Sequence, residues 1–230
     1  MRIPSGPDAE LGDGRSSSSL SCAGLQLGDM QIIKGHAGPP ATLVKALAVI
    51  GDRLHQAFDA RIPKGKSKQS CVLCSLTVRD ILRTIGIPAR VDSVLFLACA
   101  KRNGEPMHSI GIGARESGKA PSGKWNGHLV TLAGHWLIDT TLYQAQRSAW
   151  PHLPAMIAVP MQKTGRRYNG MPTLAAIASD THGDDGYLFD AAWMLNRKNR
   201  GWKFGPDSRN KMLREPVIWE LVERFGGWDD

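Results

Sequence analysis

One segment constrains the fold more than any other. Between residues 70 and 85, Cys71, Cys74, Val78, Ile81, Leu82 and Ile85 recur at three- and four-residue spacing, and Leu73 and Leu76 add apolar surface outside that stripe. A helix that is apolar over much of its circumference must be covered on several sides, so it sits at the centre of its fold. Ser67 and Ser70 are both suitable caps at its start, and Gly86 and Pro88 end it. Upstream, Pro39-Pro40 precedes a second helical pattern over residues 41–58, carried by Leu43, Ala46, Leu47, Ile50, Leu54 and Phe58. Downstream the period changes. Strand-like runs occupy 90–100, 109–113, 128–132, 136–140, 156–159 and 187–195, and a last helix is predicted over 215–225 with Pro216 in its first turn. Helices first and strands afterwards imply an α+β fold with an antiparallel sheet.

The rest of the chain narrows the class. Of 230 residues, 42% are hydrophobic, enough to build a sizeable core. Residues 1–26 are rich in Gly, Ser, Asp and Pro, a composition that cannot offset the entropy of ordering. They read as a flexible arm, followed by one domain over 27–230. No stretch approaches the ~20 apolar residues of a membrane span. The N-terminus lacks the apolar centre of a secretory leader, and four cysteines are too few for a disulfide scaffold. A cytoplasmic protein with free thiols is expected. The formal charge is +8. The positive residues form two loose groups, Arg61, Lys64, Lys66 and Lys68, and then Arg197, Lys198, Arg200, Lys203, Arg209, Lys211 and Arg214. No nucleic-acid-binding pattern accompanies them, so they read as solvated surface with at most weak affinity for polyanions.

Three positions carry the chemistry. Cys71 falls in the first turn of the central helix, where unpaired N–H groups and the positive end of the macrodipole stabilise a thiolate. The same N–H groups suit a developing oxyanion. Residues 127–140 read as a tight hairpin. A two-residue Ala133-Gly134 turn sets Leu132 against His135 and His128 directly opposite Asp139, with both side chains on one face. A carboxylate there fixes the imidazole tautomer and leaves the other ring nitrogen for a thiol.

The run Ser70-Cys71 through Ile81-Leu82-Arg83-Thr84-Ile85-Gly86-Ile87-Pro88-Ala89-Arg90 resembles the cysteine helix of the transglutaminase-like superfamily. Gly127-His128 and Trp136-Leu137-Ile138-Asp139-Thr140 resemble its histidine and aspartate strands, in the same order along the chain. The resemblance covers residues 68–143. It implies a papain-like fold, with a Cys-bearing helix packed on an antiparallel sheet that carries His and Asp. It also implies a Cys71, His128, Asp139 triad acting on an amide carbonyl of a protein or peptide acyl donor. Water or an amine then takes the acyl group, and neither metal nor organic cofactor takes part. The short link between His128 and Asp139, and Leu129-Val130 after the histidine, are similar to the arylamine acetyltransferase branch of that superfamily.

Other residues admit two readings. Gln69 is either an oxyanion donor or a loop residue. Trp125 and Trp150 either line a cleft or fill the core. Cys74 shares a helix face with Cys71 and packs in the core, or else forms a reversible disulfide with it. His108 and His135 have no direct role in the assumed register. The alternative to an enzyme is a non-catalytic papain-like module that binds protein or nucleic acid through its basic surface.

Overall fold

The computed structural model describes residues 25–33, 37–102, 105–113, 125, 127–146, 153–161, 167–168, 171–179, 187–197 and 199–227. Ten strands form one curled, mostly antiparallel sheet: β1 (Leu25–Leu27), β2 (Met30–Ile32), β3 (Ala89–Arg102), β4 (Glu105–Ile112), β5 (His128–Ala133), β6 (Trp136–Asp139), β7 (Met156–Pro160), β8 (Arg167–Tyr168), β9 (Met171–Ser179) and β10 (Tyr187–Leu195). The order is β1-β2-β7-β6-β5-β3-β10-β9-β8, with β4 joining β3 off that path. Only β2 and β7 run parallel. The mixed α+β class with an antiparallel sheet is therefore as the order of elements implied.

The helices are α1 (Ala41–Asp59), α2 (Cys71–Thr84), the single turn α3 (Pro206–Arg209) and α4 (Lys211–Gly226). All six periodic residues of α1 are buried. The apolar circumference of α2 meets α1, α4 and the sheet. Its start settles which serine caps it: Ser70 Oγ accepts from Leu73 N at 3.3 Å. Its end is a Schellman pair, with Ile87 N donating to Leu82 O and Gly86 N to Arg83 O.

Strands β5, β6 and β7 are buried on both faces. Ala133, Trp136, Ile138, Met156 and Ala158 pack toward the helices. Val130, Leu132, Leu137, Ile157 and Val159 pack within the curl of the sheet against Phe96 and Trp193. A face covered on both sides explains why these strands read as near-continuous apolar runs rather than alternating ones.

Three expectations need correction. The arm boundary at 26 falls inside β1, because Leu25 and Gln26 pair with Ile32 and Gln31. The last helix starts at Lys211, earlier than 215, capped by Asn210 Oδ1 on Leu213 N. Pro216 lies inside it, and the carbonyl it cannot bond belongs to Met212, which is 87% exposed and open to water. Strand β9 was not anticipated: its Pro172 and four small residues, Ala175, Ala176, Ala178 and Ser179, carry no strand signal. Trp150 and the Gly-Asp-Asp-Gly run at 183–186 lie outside the described residues.

Candidate active site

The hairpin of β5 and β6 turns at Gly134-His135, not at Ala133-Gly134. Its pairs are Ala133 with Trp136, Leu132 with Leu137 and Thr131 with Ile138. Gly134 has φ of 54°, the positive value that the first position of a two-residue hairpin turn demands and that alanine resists. The register therefore differs from the expected one by two residues, and Asp139 lies diagonal to His128 rather than opposite. A two-residue shift preserves the face, whereas a one-residue shift would reverse it. The contact survives for that reason: His128 Nε2 meets Asp139 Oδ2 at 2.6 Å, and both side chains are fully buried.

Asp139 has further partners. Trp193 Nε1, from the middle of β10, donates to Oδ2 at 3.0 Å, and Thr141 N donates to Oδ1 at 3.0 Å. Burial alone would push this carboxyl up. The His128 charge and the hydrogen bonds from His128, Trp193 and Thr141 outweigh it and hold the group below the usual carboxylate range. Burial would likewise push His128 down, but Asp139 and then Cys71 prevail, and the imidazole is raised to about 10. The other ring nitrogen, Nδ1, is buried and has no hydrogen-bond partner among the described residues.

Cys71 is the first residue of α2, 6% exposed, with Sγ 3.9 Å from the carbonyl oxygen of Gly127, the residue before His128. Helix α2 is fastened to β5 by two bonds, Ser75 Oγ to Leu129 O at 2.7 Å and Thr131 Oγ1 to Ser75 O at 2.9 Å. Ser70 links the helix start to α3 by donating to Asp207 Oδ2 at 2.5 Å. Around the thiol, Val72, Leu76 and Leu129 pack with Val91, Trp125 and Trp202. Trp125 is wedged between two glycines: a Cβ on Gly127 would fall 2.2 Å from its ring, and one on Gly201 2.8 Å. Its Nε1 donates to Asn199 Oδ1 at 2.6 Å. Trp125 is half-buried and packs against the cluster around the thiol.

The other singled-out residues separate clearly. Gln69 is the exposed last residue of a 3-10 turn, Ser67–Gln69, and the cap Ser70 separates it from α2. Cys74 is fully buried, donates to Ser67 O at 3.2 Å, and burial pushes its thiol well up. His108 is exposed on β4, and His135 is exposed in the hairpin turn. An apolar cleft of about 750 Å³, bordered by His135, Trp136, Ile85, Pro88 and Met161, opens at the far end of α2. The length of that helix puts it roughly 20 Å from Cys71, so it is not part of this site. Among the described residues no group of three or more His, Cys, Asp and Glu could hold a metal ion. No helix among them is long and apolar enough to cross a membrane.

Two contributors were missed by sequence reading. Trp193 is one, because a strand tryptophan gives no sign of which carboxylate it will meet. His55 is the other. Its Nε2–H donates to Thr140 O at 3.0 Å, and its Nδ1 accepts from Ser67 Oγ at 2.8 Å. It thereby joins α1 to the turn before Cys71 and to the residue after Asp139. Burial lowers its pKa, and despite the Thr140 carbonyl it is held at about 4. An unfolded histidine near 6.5 binds a proton that folded His55 refuses. Stability therefore falls as pH drops through 6.5 toward 4, by roughly 3 kcal/mol from this residue. Urea unfolding of wild type and His55→Gln at pH 7 and pH 4.5 should show a steeper acid loss in wild type. Equal losses would remove His55 as the source.

Comparison with protein-family models, with curated proteins and with solved structures finds no match.

Proposed function

We propose that this protein is a cysteine-dependent acyl-transfer or hydrolytic enzyme with a papain-like, transglutaminase-like arrangement. The observation that carries the reading is the buried His128–Asp139 bond at 2.6 Å, with Nδ1 of the same ring left unbonded near Cys71. Asp139 fixes the ring with its proton on Nε2 and stabilises the imidazolium. At neutral pH the thiol proton already rests on Nδ1 of the imidazolium, and the Cys71 thiolate attacks the carbonyl carbon of an amide. The C–N bond breaks, the amine leaves with the proton from His128, and a thioester remains on Cys71. Water or an amine then attacks the thioester, His128 accepts its proton, and the thiol is restored. The backbone N–H groups opening α2 would hold the oxyanion. Gln69 is a further candidate donor for it, close in sequence and exposed.

The test is alkylation of the full chain with iodoacetamide, mapped by mass. Cys71 should react at least about tenfold faster than Cys74 and Cys99. Equal, slow labelling of all thiols would end the catalytic reading in favour of a binding module. The basic pocket described next is the observation that keeps that second reading in view.

A further inference from the structure

The two basic groups of the sequence have different fates. The first is dispersed: Arg61 pairs with Glu220 at 3.0 Å, and Lys68 rests 4.2 Å from the centre of the Tyr143 ring. The second converges with residues far from it in the chain. Arg197, Arg200 and Lys203 meet Arg79 and Arg83 of α2 and Arg90 of β3 around a pocket of about 320 Å³. One carboxylate, Asp92, lines it, and Arg90 and Arg197 share that acid at 3.3 and 3.7 Å. Arg79 is held by Asp80, which also takes Arg214. A strong excess of positive charge is left.

This pocket borders the cluster around Cys71. Val91 and Trp202 line it and also pack in the cluster around the thiol. Along α2, Val72, Leu76, Arg79 and Arg83 follow one another at helical spacing, so one face runs from the thiol to the guanidinium groups. Eight residues separate Cys71 from Arg79, about 12 Å along the axis. An extended peptide covers that in roughly three or four residues. Residues 90–92 pair with β5 along one edge; on the other, β10 ends at Val94 and Asn196 N adds one bond to Ser93 O at 2.8 Å, short of residues 90–92. Among the described residues no strand takes the other edge, and an extended peptide can dock there.

We propose that the acyl donor is an acidic peptide. It lies extended along β3, with its reacting carbonyl at Cys71 and Asp or Glu side chains, three or four positions away, in the arginine pocket. This rests on the catalytic reading above and adds the substrate class. Guanidinium forks match carboxylates bidentately, and Arg90 and Arg197 already approach the Asp92 carboxylate through Nε at 3.3 and 3.7 Å.

The experiment uses the full-length Cys71→Ala chain, so that binding is read without turnover. The probe is a fluorescein-labelled peptide with a central glutamine and glutamates three and four positions away on both sides, followed by anisotropy. The peptide should bind and weaken with salt, and its lysine counterpart should not bind. Arg90→Glu with Arg197→Glu should weaken binding at least about tenfold, with circular dichroism checking the fold. Arg200→Ala with Lys203→Ala is a second variant and should weaken it as well. Absence of binding, binding indifferent to both variants, or tighter binding of pyrophosphate or a single-stranded RNA at the same arginines would overturn the proposal. Binding that depends on the arginines upholds docking even if the wild-type chain never forms a thioester, an outcome that fails only the catalytic reading. Cys71-dependent turnover of glutamine peptides, indifferent to flanking acids, fails docking alone.

Discussion

Replacing Cys71 with alanine is expected to lower acyl transfer by about 10⁴-fold or more, because no other group in the site can form the thioester. The fold should survive. Cys71 is small, and its 3.9 Å approach to Gly127 O is weak, so the loss of stability should stay within about 1 kcal/mol. Activity with a glutamine-containing peptide, followed by ammonia release, and the urea midpoint separate the two effects. Full activity in the variant would end the catalytic reading. A collapse of the urea midpoint would show that Cys71 is structural instead.

Asp139→Ala should be the most destabilising single substitution in the site. It removes the acceptor of four donors at once, His128 Nε2, Trp193 Nε1, Thr141 N and Thr141 Oγ1, and leaves a fully buried imidazole without its counter-charge. Breaking a buried pair in this way costs about 3–5 kcal/mol. Asp139→Asn keeps the shape and part of the bonding, so it should cost about 1–2 kcal/mol. Both variants lose the charge that raises His128. Burial then dominates, the imidazole becomes harder to protonate, and alkylation of Cys71 at neutral pH should slow. Urea unfolding and the alkylation rate are the two readouts. A stable Asp139→Ala chain with an unchanged rate would show that the pair is neither structural nor coupled to the thiol.

The pH dependence of His128 runs opposite to that of His55. His128 has a folded pKa raised to about 10, so its contribution is complete below the unfolded value near 6.5 and is lost as pH rises toward 10. Asp139 is depressed, so its contribution is present above the unfolded carboxylate range and is lost on acidification through the folded value. The ion pair is therefore intact across neutrality, while His55 sets an acid limit of its own.

Much of the site could be read before any tertiary contact was known. The cysteine at the head of α2, the histidine opening β5 and the aspartate closing β6 are each marked by local signals: a serine cap, an apolar helix face and a hairpin between two apolar runs. The contact between His128 and Asp139 was anticipated through the wrong turn. It held because strand periodicity is two, and the error in register was two.

Local pattern alone thus determined helices α1 and α2, most strands and the order of the three chemical side chains, because period, caps and turn residues act between near neighbours. Tertiary structure alone decided that Trp193 caps Asp139, that His55 ties Ser67 to Thr140, and that six cations from α2, β3 and the segment after β10 share one pocket. These contacts join residues from 12 to well over 100 positions apart. The burial and charge that give them meaning exist only once the sheet has curled around them.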